Sequence, residues 1–183
     1  MTRKSACTFT ASLALFMALL AGVAQAAGTP EQTALDYMAA LKKDGMTAVP
    51  AFIHPDELAR FKEMLMPLVR REAATGDTPV TDALFGKGTK LAQVEAMTPV
   101  DFCSALMRVV GDKLDDVKYS DVQVLGTVRE KEVVHVVTRV VAEVSAGVQM
   151  KSVEVISTRK SGDGWKLLLT GQLEGLAAGL ASQ

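Results

Sequence analysis

The chain has only two histidines and two cysteines. His54 and His135 lie far apart, and neither has a Cys- or Glu-rich partner motif, so no metal-site signature is present. Cys7 precedes an apolar run near the start. Cys103 is then the sole thiol of the remainder, which excludes an intramolecular disulfide there. GxGxxG, phosphate-binding-loop, Ser-His-Asp and HExxH patterns are all missing, and no cofactor is expected. Charge of one sign is lacking too: 20 Lys plus Arg stand against 21 Asp plus Glu. That balance gives no electrostatic footprint for nucleic acid, which usually shows as a clustered basic excess. Arg70-Arg71 is a local pair on a mixed helix and reads as solvated surface.

What is present begins with a leader. Arg3 and Lys4 open the chain, no acidic residue occurs before Glu31, and ASLALFMALLAGVA runs from Ala11 to Ala24. The run is shorter than the ~20 apolar residues that a spanning helix needs. Ala24-Gln25-Ala26 supplies small residues for cleavage, so residues 1 to 26 read as a secretory signal peptide cut after Ala26. Val23 follows Leu20-Ala21-Gly22 where a lipoprotein would carry cysteine, so no lipid anchor is expected. The expected product is a periplasmic or secreted chain without a membrane anchor. It spans residues 27–183 as one domain, and removing the two leader cations leaves it three charges negative.

A helical half comes first. Thr29-Pro30-Glu31-Gln32 reads as a capped start, with Gln32 reaching back to the cap. Gly45 ends that helix, and a short turn or helix covers Met46 to Phe52. Leu58, Phe61, Leu65 and Leu68 share one face of a longer helix after His54-Pro55-Asp56-Glu57. Gly76, Pro79, Gly86 and Gly88 mark residues 75 to 89 as loop-like. Thr98-Pro99-Val100-Asp101 opens a third helix, which ends near Leu114. Its stripe of Val100, Cys103, Leu106, Met107, Val110 and Leu114 turns Cys103 toward the core.

From Tyr119 the period becomes that of strands. Gly126 marks a bulge or bend. A long strand from Glu132 to Ser145 turns at Ala146-Gly147 and returns over Val148 to Arg159. Ser161-Gly162-Asp163-Gly164 is a tight turn into Trp165–Leu169. The pattern predicts an α+β domain: three N-terminal helices on a curved antiparallel sheet of about four strands.

A capped first helix, a break, His54-Pro55-Asp56, further helices, then long strands ending in SGDGWKL: this layout resembles the nuclear-transport-factor-2-like superfamily. The resemblance covers residues 29 to 170 and implies a cone-like sheet wrapped around its helices. Catalytic members, such as ketosteroid isomerases and dehydratases, place carboxylates or histidines inside the cone. No such set carries over onto this sequence. Aspartates 56, 82, 101, 115, 116 and 163 fall at helix starts or turns instead.

Within KEVVHVVTRVVAEVS, strand alternation puts Val134, Val136, Thr138, Val140, Ala142 and Val144 toward the helices. His135, Arg139 and Glu143 then share the outer face with Val133, Val137 and Val141. Strands apolar on both sides are usually covered on both, so a homodimer through the sheet face is expected. Phe61 and Phe102 read as core. Tyr37, His54, Met107 and Trp165 are the candidate ligand contacts, with no catalytic residue assigned. The leading expectation is an exported non-catalytic domain that binds a small apolar ligand or a protein partner. Two alternatives stand beside it: an isomerase- or dehydratase-type enzyme using His54 and Asp56, and an assembly protein whose interior is filled by its own side chains.

Overall fold

The computed structural model describes residues 28–114, 117–144 and 147–169, with positions 175 and 179. Residues 1–27, where the leader is expected, the Asp115-Asp116 connection, residues 145–146 of the expected hairpin and the tail from residue 170, apart from those two positions, lie outside the described residues.

Thr29 caps α1 (Pro30–Asp44) as its residue type dictates, its side chain accepting from the Gln32 amide at 3.1 Å. Gln32 itself does not reach back. Its side-chain amide donates forward to Asp36 at 2.8 Å, one turn along the helix. Gly45, at φ 67°, ends α1 and opens a 3₁₀ segment over Gly45–Ala51. The long amphipathic helix is α2 (Pro55–Thr75), and its predicted stripe of Leu58, Phe61, Leu65 and Leu68 is buried.

The expectation of three helices is corrected to five among the described residues. The supposed loop contains α3 (Pro79–Phe85), and α4 (Leu91–Ala96) follows before α5 (Pro99–Leu114). Local signals miss α3 because its cap is tertiary. Thr78 makes no capping hydrogen bond. Instead the carboxylate of Glu72, on α2, accepts from the amides of Val80 and Thr81 at 2.9 and 2.8 Å. It also accepts from the Thr81 hydroxyl at 2.6 Å. Two of the amides that every helix start leaves unpaired are thus satisfied from a neighbouring element. For α4, six residues are too few to show a period, and its buried Val94 holds it in the core.

The strands β1 (Val117–Glu130), β2 (Val133–Val144), β3 (Val148–Ser161) and β4 (Gly164–Leu167) form one antiparallel sheet in sequence order. Pairing shifts register between Val124 and Gly126, the bulge that the glycine marked, and again between Tyr119 and Asp121. On β2, Val134, Val136, Thr138, Val140 and Ala142 are all buried, as alternation requires. Val136 and Val140 share one core with Ala34, Met38 and Leu41 of α1, while Phe61, Phe102, Cys103 and Met107 fill the space between α2 and α5. Phe102 stacks edge-on against Phe61, with centroids 6.4 Å apart, and tilts against Phe85 at 5.2 Å. Val100, assigned to the Cys103 stripe, is 46% exposed, although Phe102 and Cys103 just after it are fully buried.

Candidate functional site

The site is built where α2 begins beside the last hairpin. Ile53 forms a parallel bridge to Leu167. The His54 amide donates to the Leu167 carbonyl at 2.8 Å, and the Leu167 amide donates to the Phe52 carbonyl at 2.8 Å. The residue before Pro55 is driven into extended geometry, and His54 obeys with φ −61° and ψ 136°. Its ring then turns back on the helix start, where Nδ1 accepts from the Asp56 amide at 3.2 Å.

One guanidinium nitrogen of Arg159 lies 3.1 Å from the same Nδ1 and 2.8 Å from Asp56 Oδ2. Two donors facing Nδ1 make it the acceptor, which leaves the ring hydrogen on Nε2 to meet the Lys160 carbonyl at 3.2 Å. Both ring nitrogens are engaged and the residue is buried. His54 therefore works as a clamp between α2 and the β3–β4 hairpin. A general base needs a nitrogen within reach of a substrate proton, and neither is open to one.

Beyond the clamp lies an open cleft of about 860 Å³. Antiparallel pairing across the turn sets Lys160 opposite Trp165. The lysine ammonium stands 5.1 Å from the Trp165 ring centroid, and the Arg129 guanidinium stands at 6.0 Å from the same centroid. Both distances suit attraction between a cation and an aromatic face. Lys131, at the β1–β2 turn with φ 54°, and Glu132 close the far wall. A second cleft of about 500 Å³ shares Lys131, Glu132 and Arg159 and continues to His135, Ser157 and Leu169.

Of the four sequence-derived contacts, His54 and Trp165 line one cleft, whereas Tyr37 and Met107 sit elsewhere. Met107 is fully buried between helices. The Tyr37 ring packs edge-on against Phe52 at 5.7 Å. Burial, with neighbouring Tyr119 and Glu154, pushes its hydroxyl up to about 12. Burial alone pushes the Cys103 thiol up to about 11, which keeps the nucleophilic thiolate away at neutral pH.

On the outer sheet face, His135 pairs with the Ser157 hydroxyl at 2.8 Å and approaches Glu130 at 3.4 Å. Arg139 donates to the Gln123 side chain at 3.2 Å. These are ladder contacts between neighbouring strands. Among the described residues, no group of three or more His, Cys, Asp or Glu is placed to hold a metal ion.

Arg129, Lys131, Arg159 and Lys160 escaped the sequence reading. Lys160 was recoverable, since a two-residue turn at Gly162-Asp163 pairs it with Trp165. Arg129 was not, because it reaches the tryptophan across two intervening strands.

No protein-family model and no curated protein matches the chain. A crystal structure at 2.00 Å resolution from Campylobacter jejuni, described as "Putative NTF2-like transpeptidase", is similar at 12% identity. The match covers 56% of this chain and 93% of that one, with a TM-score of 0.26. At that TM-score the likeness carries no argument for fold or activity.

Proposed function

We propose that this chain is an exported, non-catalytic binding protein that acts through the outer face of its sheet, where it pairs with a second copy of itself. The observation that carries the reading is a band of exposed valine on that face: Val128 at 59%, Val153 at 63% and Val155 at 51%. Cross-strand pairing sets them beside His135, Arg139 and Val137 respectively, so they share one side. Single exposed apolar residues are ordinary, but a contiguous group marks an interaction surface. The band is edged by both signs, with Lys118 opposite Glu143 and Asp121 and Lys151 flanking Val141. A two-fold copy of a mixed face can set cation against carboxylate, as an isologous interface requires.

The arm in which the interior takes a small apolar ligand has less support. Phe61, Phe102, Met107, Val136 and Val140 are already packed with at most 1% exposure. Membership of the nuclear-transport-factor-2-like superfamily belongs to the same proposal. What supports it is the order of helices before a four-stranded meander and the SGDGWKL hairpin. Export rests on the leader pattern.

Covering the exposed part of each valine contributes about 1 kcal/mol. Val153→Lys with Val155→Lys removes two valines per copy and four per dimer, about 4 kcal/mol, or roughly a thousandfold in dimer dissociation constant. Sedimentation velocity across a concentration series should show a dimer for the parent and a folded monomer for the double variant. A variant as dimeric as the parent would place the contact elsewhere.

A further inference from the structure

We infer that the cleft between the start of α2, the β1–β2 turn and the β3–β4 hairpin binds a compact dianion of the phosphate-monoester or short-dicarboxylate class. Four cations line it, Arg129, Lys131, Arg159 and Lys160, against only two carboxylates, Asp56 and Glu132. Asp56 is already committed to Arg159 at 2.8 Å. Among the described residues, the side chains of Arg129, Lys131 and Lys160 make no ion pair.

Two of them are nevertheless held in place, because Arg129 and Lys160 both rest on the Trp165 ring. Gathering like charges in one concavity raises the local potential and concentrates counter-ions there. Two positive charges are left over, which a dianion neutralises and a monoanion does not. The donors also suit such a ligand. A guanidinium presents a planar fork to two oxygens, and lysine ammoniums bind as compact point charges. His54 and Asp56 serve by positioning: they fix Arg159 through its shared nitrogen. The site is separate from the valine band, and neither proposal depends on the other.

Trp165 is the chain's only tryptophan, so its intrinsic fluorescence reports on this cleft. The chain is titrated with inorganic phosphate and, separately, with succinate, each at constant ionic strength set by chloride, since screening alone moves surface electrostatics. A saturable change in emission with either probe is expected. Phosphate alone would assign the phosphate class, succinate alone the dicarboxylate class, and both the shared dianion chemistry. Lys160→Ala and Arg129→Ala should each raise the half-saturating concentration by about tenfold, the scale of one lost charge-assisted contact. Lys87→Ala, an exposed lysine between α3 and α4, should leave it unchanged. No saturable response in the parent chain to either probe would overturn the inference. So would half-saturation unmoved in both cleft variants.

Discussion

Replacing Glu72 with alanine removes the side chain that joins α3 to α2, and its cost follows from the donors left behind. Three hydrogen bonds end on this carboxylate. Val80 is only half-buried, so water can take over its amide. Thr81 is 3% exposed, and both its amide and its hydroxyl lose their acceptor in a dry place. A buried donor without a partner costs about 1–3 kcal/mol, against which the relieved burial of the carboxylate returns part. The net expectation is a loss of about 2–3 kcal/mol.

In urea unfolding this appears as a lower midpoint with an unchanged slope. The melting temperature should fall by about 2–4 °C for each kcal/mol. Adding Thr81→Val to Glu72→Ala removes the stranded hydroxyl and should recover about 1 kcal/mol. The dependence on pH gives a second handle. Burial pushes the Glu72 carboxyl up, but the Thr81 hydroxyl, the Val80 and Thr81 amides and nearby Arg71 outweigh it and hold it below its usual 4.5. A carboxyl depressed on folding contributes fully above the unfolded value and loses that contribution as pH falls through the folded one. The gap between parent and Glu72→Ala should therefore be widest above about pH 5 and close progressively below it. A gap under about 0.5 kcal/mol at neutral pH, or one that does not narrow in acid, would refute the tertiary-cap argument.

Three further outcomes are expected. Phe102→Ala empties the contact between Phe61 and Phe85 and should cost about 3–5 kcal/mol in urea titration. Gly76→Ala meets no atom within 4 Å, so only its left-handed φ of 78° is at stake, and a loss of about 1–2 kcal/mol by thermal melting checks that. In a chain lacking residues 1 to 26, Cys103 should ignore a thiol-reactive dye at neutral pH until denaturant is added, and immediate labelling would contradict its burial.

Where the sequence was legible, one residue's chemistry acted on its own neighbours. Thr29 and Thr98 announced their helices because a hydroxyl three residues from an amide is a local device. The β2 strand announced its two faces because alternation admits one buried set once Val136 and Val140 are inside. The α3 helix was illegible because its cap comes from Glu72, on a different helix, and glycines on either side imitate a loop. The cleft was half legible for a related reason. His54 and Trp165 stand out by residue type, but the cations around them are ordinary surface residues until all four strands are aligned. His54 was also the better disguised of the two. Its place before a proline suggested a cap, and only the approach of Arg159 and the Lys160 carbonyl shows that neither nitrogen is left over.

The central claim, an exported chain that pairs through its valine face, is tested most directly by native mass spectrometry of the protein recovered from the cells that make it. A dimer of chains that begin at Ala27 is the expected spectrum. A monomer at micromolar concentration would contradict the pairing, and a mass that retains residues 1 to 26 would contradict export by leader cleavage.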